Sequence, residues 1–401
     1  MSELELLQSK IVQIEASVFE WKSRQQAYTS HLCKLLDEAN IKYPSFETFH
    51  NHQHTPSVNV KNEPDSPIPP SPTEPAPIPP TSITSQKLSE SWELIPKLPN
   101  PIVLSTYYSM EFPSIVCCAA ISNDDTYLAV GYREGCAIIN LTTGNFQTHS
   151  LASQFSGFFV RSLAFSGDGN SLIVAVEEHP LSLLDLSSSQ VRPLYHLDSP
   201  EWKDCETLGV VTSDDGKFTA STDKLIRLWD EKFNLVATFG AQQVYTCIAV
   251  SSDSKYLAAG TNSGEVFVID LEQMVIRTVL KGHEHAVLGV CFCQNSSFLA
   301  SSSLDKTTRI WNNDFASVAV LEGHDDFVLA NSFSNCGKWL FTGSKDQNII
   351  IWRTDDWKID SILKCHSNSI IGIVASQKSS MFTSVSGDKT LKLHSFKKPE
   401  N

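Results

Sequence analysis

Gly282-His283, then Asp305, then Trp311; Gly323-His324, then Asp346, then Trp352: between residues 282 and 352 the chain says nearly the same thing twice. In both copies His and Asp stand 22 positions apart and Asp and Trp six. Between these marks lie short apolar runs (Ala286 to Phe292, Phe298 to Ser301, Thr308 to Trp311), too short for helices and separated by Asn, Ser and Asp. One such unit makes a sheet of about four strands, and similarity at a period of about 40 to 45 residues predicts the blade of a β-propeller.

With the Asp346 position as a ruler, equivalents fall at Glu134, Glu178, Asp223, Ser263, Asp305, Asp346 and Asp388, in steps of 44, 45, 40, 42, 41 and 42. Seven units therefore fill the chain from residue 98 to 401. Only three keep the tryptophan six positions on (Trp229, Trp311, Trp352), and His stands 22 before the ruler only at His283, His324 and His366. The first two units have Phe112 and Ser156 there, yet keep alternating apolar runs such as Val116 to Ile121. After His394 only seven residues remain, too few for a turn and a last strand. The β-prone run Ile102 to Tyr107 is predicted to complete the seventh blade and remove its open edge.

His283, Ser301, Asp305 and Trp311, and again His324, Thr342, Asp346 and Trp352, have the residue types of a catalytic relay. A relay needs one copy in a cleft, whereas this set recurs with the repeat. Buried polar groups must be paired, so these residues are predicted to form structural hydrogen-bonded chains. No phosphate loop or nucleophile elbow offers another enzyme site. The expectation is a protein with no catalytic residue and no cofactor.

Thirty-one basic against 45 acidic residues give a net charge of −14, a field that repels nucleic acid and favours basic partners. An apolar share of 41% suffices for a sizeable core. The ten cysteines show no CxxC pair and mostly sit in apolar runs, which points to a reducing compartment and no metal site. There is no apolar run of 18 residues and no basic leader, so neither membrane spanning nor secretion is expected.

Residues 1–40 carry heptads. Leu4, Ile11, Val18 and Leu32 share one seam position, and Leu7, Ile14, Trp21, Tyr28 and Leu35 share the other, interrupted by Gln25. This predicts a self-associating coiled coil. Residues 41–97, with the Pro-rich run from Ser66 to Pro80, are expected to be an extended, disordered linker. Within it Val60-Lys61-Asn62-Glu63, followed by Ser66-Pro67, has the form of a phosphorylation-dependent site for a ubiquitin-like modifier.

The full layout resembles the fungal Tup-type and animal Groucho-type transcriptional corepressors, members of the WD-repeat family. The likeness is carried by Ser114-Ile115-Val116-Cys117-Cys118, by Phe159-Val160-Arg161-Ser162, and by Gly323 to Leu329 with Gly343-Ser344-Lys345-Asp346. The resemblance implies a nuclear corepressor with a tetrameric helix that docks a tetratricopeptide-repeat subunit, and a propeller that grips DNA-binding repressor proteins. It also implies histone-tail contacts in the middle segment, which is short here. The other reading of the repeats is a scaffold of a different class, a ubiquitin-ligase substrate receptor or a trafficking adaptor.

Loops before each first strand, and those joining second and third strands, open on one narrow end of a propeller, where recognition usually sits. Positions three and five after the His position, and the one before the Asp, point there. They include Cys117, Phe159, Arg161, Glu177, Asn262, Leu288, Phe327 and Leu329. The resemblance maps the repressor-contacting surface onto several of these together with Ser162 and Asn368.

Overall fold

The computed structural model describes residues 92–98, 101–151, 155, 157–194, 207–240 and 243–397. In the repeat quoted first, strands Val287–Phe292, Phe298–Ser303, Thr307–Asn312 and Ser317–Glu322 pair antiparallel in chain order as one four-stranded sheet. The second of them is buried at every position after Phe298, because the sheet is packed against neighbouring blades. Tight turns at Ser296 and Lys306, both at positive φ, end the runs.

Seven such sheets form. Their first strands are Val116–Ile121, Val160–Phe165, Gly209–Thr212, Tyr245–Val250, Val287–Phe292, Val328–Phe333 and Ile370–Ala375. Each touches the next, and the seventh touches the first, so the sheets close into a ring. This is the seven-bladed propeller that the spacing predicts. Neighbouring blades approach so closely that a Cβ on Gly131 would lie 2.7 Å from Val160, and one on Gly260 2.8 Å from Val287. Small residues at these points let the first strand of the next blade settle against the second strand of the last.

The ring is closed as expected, by a longer strand than expected. Val103–Glu111 pairs antiparallel with Thr390–Lys397 and supplies the outer strand of blade seven. The structure also differs from the sequence reading just upstream. Glu93–Pro96, within the segment expected to be linker, is a strand that pairs with Ile359–Lys364 and gives blade six a fifth strand. Four residues are too short to register as a strand pattern, but Leu94 packs against the apolar cluster shared by blades six and seven. The crossing between the two blades is pinned by buried Asp360. Its Oδ2 accepts the Ile102 N–H at 2.9 Å, and its backbone oxygen accepts the Lys97 N–H at 2.8 Å.

The ruler also slips in blade three. Trp229 bonds to a hydroxyl eight positions earlier, Ser221, where Trp311 and Trp352 reach back ten. The turn between the second and third strands is two residues shorter there, so strand positions before Asp223 are offset by two. The coiled-coil seam (Leu4 to Leu35) and the modification motif at Lys61 and Ser66 lie outside the described residues.

Candidate functional site

The repeated polar residues form buried chains. In blade five His283 Nδ1 lies 2.7 Å from Asp305 Oδ2, and Nε2 lies 2.9 Å from Ser301 Oγ, which accepts Trp311 Nε1–H at 3.0 Å. In blade six His324 bridges Asp346 and Thr342 at 2.8 Å each, with Trp352 Nε1–H donating to Thr342 Oγ1 at 2.9 Å. Because tryptophan donates into the hydroxyl, the hydroxyl proton points to Nε2 and leaves Nδ1–H for the carboxylate. Blade seven repeats this with His366, Asp388 and Ser384, and His394 stands where the tryptophan would be, bonded to Ser384 at 2.9 Å and to Thr106 of the closing strand at 2.8 Å.

Burial holds His283 below the usual imidazole range despite the opposing pull of Asp305, and holds His394 well below it. Burial works to raise Asp305, Asp346 and Asp388, but hydrogen bonds from the histidines and neighbouring groups outweigh it and keep all three carboxyls low. Both nitrogens of each bridging histidine are engaged, and Ser301 and Thr342 are fully buried. Such chains rigidify blades, and the engaged nitrogens and buried hydroxyls give them a structural role.

The recognition candidates behave differently, because the first strands carry a defect. The ladder skips one residue between Val116 and Cys118, Val160 and Ser162, Tyr245 and Cys247, Val287 and Gly289, Val328 and Ala330, and Ile370 and Gly372. These are β-bulges, which leave the extra residue unpaired and re-aim its side chain. The skipped residues Cys117, Arg161, Thr246, Leu288, Leu329 and Ile371 all line one concavity of about 200 Å³ at the mouth of the central channel. Ser162 lines it too. The Cys117 thiol is pushed up to about 11, chiefly by burial, so it is present as a neutral, weakly polar contact.

Around this mouth stands a rim. Phe159 carries the Arg133 guanidinium 5.9 Å from its ring centroid and the Arg161 guanidinium at 5.7 Å. Arg161 is also paired with Glu177. Phe327 carries Lys345 at 4.9 Å. Asn262 and Asn368 are exposed on turns and do not line the concavity; the Asn368 carboxamide oxygen accepts the Ser369 N–H at 2.7 Å. Sequence reasoning passed over Thr246 and Ile371, although both stand five after the His position of their blades. It also missed Leu208, which the short turn of blade three displaces by two residues. Arg133 had no sequence signal, since only folding brings it onto Phe159.

A larger cleft of about 440 Å³ lies between blades four and five, lined by Asp253, Lys255, Arg277, Asn295 and the edge-to-face pair Tyr256 and Phe315. It opens among the turns at the opposite end of the strands and draws on two blades, whereas the mouth draws on all seven. The mouth is therefore the better candidate.

A ring of seven blades built on four-stranded sheets, with His–Ser/Thr–Asp–Trp chains, is the architecture of a WD-repeat propeller. In agreement, the family model described as "WD domain, G-beta repeat" matches residues 233–270, 274–312 and 315–353. Among similar proteins, a periodic tryptophan protein 2 homolog of Dictyostelium discoideum is 26% identical over 201 residues, covering 48% of this chain and 21% of the relative. The Mus musculus homolog of the same name is 42% identical over 69 residues, 17% of this chain and 8% of the relative. The Arabidopsis thaliana transcriptional corepressor LEUNIG_HOMOLOG is 36% identical over 66 residues, 16% of this chain and 8% of the relative. These alignments thus cover about a fifth or less of those relatives.

Proposed function

We propose that this protein is a non-enzymatic interaction scaffold whose propeller grips a short extended segment of a partner at the channel mouth. The observation that carries this reading is the set of bulges that turns Cys117, Arg161, Leu288 and Leu329, from four separate blades, into one concavity. At about 200 Å³ it suits one or two side chains of a linear segment, with apolar walls for affinity and polar edges for orientation.

Taken further, the reading is a nuclear transcriptional corepressor. Its support is the layout of heptads, Pro-rich segment and propeller, and the match with a relative named a transcriptional corepressor. In this reading DNA-bound repressors dock at the mouth with Phe159, Glu177, Phe327 and Asn368 around it. The helix joins several chains and a tetratricopeptide-repeat subunit, and multivalency strengthens weak contacts. Histone tails are partners of the segment before the propeller.

Tethering the full chain to a reporter promoter through an unrelated DNA-binding domain tests the corepressor role; several-fold repression is expected, and unchanged transcription overturns it. Substituting Phe159 and Leu288 by Ala should abolish capture of repressors that co-purify with the wild-type chain, with melting unchanged. Capture at wild-type strength would remove the mouth from consideration.

A further inference from the structure

Arg133 sits in the sharp turn between the second and third strands of blade one. Its backbone is held by an isolated bridge to Phe159 and by the Ser114 hydroxyl, which accepts its N–H at 3.0 Å. Its side chain is exposed and lies over the Phe159 ring. Several other cations of this end are engaged, and the exposed turn lysines Lys224 and Lys389, without an ion pair among the described residues, do not lie over an aromatic ring there. Arg161 pairs with Glu177, Arg227 with Asp223, and Lys345 with Asp326, while Lys306 donates to the Asp325 carbonyl. Among the described residues Arg133 has no carboxylate within ion-pair distance. Its neighbour Glu134 is turned to the Gly157 N–H, which it accepts at 2.6 Å.

An arginine stacked on an aromatic face is pre-organised and weakly hydrated, with its fork of N–H donors left free at the edge. Such a group favours a carboxylate, which it can take up in a bidentate pair. Position adds the second half of the argument. The two guanidinium carbons lie 5.9 and 5.7 Å from the same ring centroid, and Arg161 itself lines the mouth. Arg133 is therefore at most about 12 Å from a residue of the concavity, a span of about three to four extended residues. In a chain of net charge −14, a free exposed cation so close to an apolar concavity marks the charge that a partner must bring.

We propose that Arg133, stacked on Phe159, is the cationic anchor of the mouth: the segment bound there carries an Asp or Glu about three residues from the apolar side chain it inserts. This rests on the mouth being the docking site. Phe159 then acts as a platform that sets the guanidinium and need not itself touch the partner. Arg161 keeps Glu177 neutralised, so that the acid beside the site does not repel the incoming carboxylate.

The test uses the full chain and fluorescent peptide libraries with a fixed leucine and, three residues on, Glu, Gln or phosphoserine. The Glu library is expected to bind about fivefold to tenfold more tightly than the Gln library, with the preference shrinking at high salt. Arg133→Gln should bring Glu down to the level of Gln, Arg133→Lys should retain part of the preference, and neither should shift the melting temperature, because the side chain is exposed. Leu288→Asp, checked by melting, should remove binding of every library. Binding that survives Leu288→Asp overturns the mouth as the docking site. Loss with Leu288→Asp but no Glu preference, or a preference that outlasts Arg133→Gln, overturns the anchor alone. Phosphoserine bound more tightly than Glu overturns the carboxylate assignment, and failure of every library to bind overturns both readings.

Discussion

Blades five, six and seven are each pinned by a buried His–Asp chain, while blades one and two are built on the same four antiparallel strands without one. In blade one the His position is Phe112, buried and packed on Tyr132 with ring centroids 5.5 Å apart. In blade two Phe155 and Phe158 clasp His179 edge-on at 4.8 and 4.6 Å. Alternating apolar strands therefore suffice to make a blade, and the polar chain is an added brace. Where the brace is missing, the loop positions are free for other residues. The cluster of Arg133, Phe159 and Arg161 arises there, at the junction of the two unbraced blades.

The largest effect should come from breaking what both halves share, the ring. Deleting residues 98–111 removes the outer strand of blade seven, the bond from Thr106 to His394 and the bond from Ile102 to Asp360. The exposed edge should leave the protein aggregated or without a cooperative melt. A normal melting curve would mean that another segment closes the ring.

Next comes the brace itself. Asp346→Ala removes the acceptor of His324 Nδ1 and of the Asp325 and Asn348 N–H groups, and should cost about 3 to 5 kcal/mol in denaturant unfolding. The equivalent change in blade one, Glu134→Ala, loses one exposed bond and should cost less than about 1 kcal/mol. Equal costs would erase the distinction between the two kinds of blade.

Acid should separate them in turn. His394 is held neutral in the fold but takes up a proton in the unfolded chain, so its stabilisation is complete above the ordinary histidine value and is lost as pH falls below it. Stability should decline below pH about 6.5, with a slope approaching about 1.4 kcal/mol per pH unit for each such histidine. The low carboxyls Asp305, Asp346 and Asp388 add a second decline only below about pH 4, where the unfolded chain begins to bind their protons. Urea titrations across this range should show both phases, and His394→Gln should flatten the first.

The smallest effect should follow removal of the extra strand on blade six. A chain beginning at Lys97 loses four ladder pairs and the packing of Leu94, but leaves the closing strand in place. A loss of about 1 to 2 kcal/mol, with melting still cooperative, is expected. A collapse comparable to the 98–111 deletion would make this strand part of the closure.

Much of this was legible in the chain. The alternation of Val287 to Phe292 or Val116 to Ile121 is local, so strands could be read directly. The β-prone run Ile102 to Tyr107, just ahead of the first repeat, could be read as a strand in the same way, and it pairs with the last strand of blade seven. The four residues Glu93 to Pro96 could not be read this way, because their strand character comes from the edge they meet at Ile359 to Lys364. The two-residue shortening in blade three hid Leu208 behind a ruler that assumed equal turns. Spacing also picked out Cys117, Arg161, Leu288 and Leu329 without supplying the reason that they converge. That reason is a bulge, which depends on how a strand registers against its partner.

The sequence alone determined the repeat, the number of blades and the His–Asp chains, since each is written within one unit of about 40 residues or in the count of units. The tertiary structure decided the channel mouth, the stacking of Arg133 and Arg161 on Phe159, and the clamp at Asp360. These contacts join residues from different blades or from distant parts of the chain. They exist only once strand twist, bulges and ring closure have set where each blade ends, and no local pattern encodes that geometry.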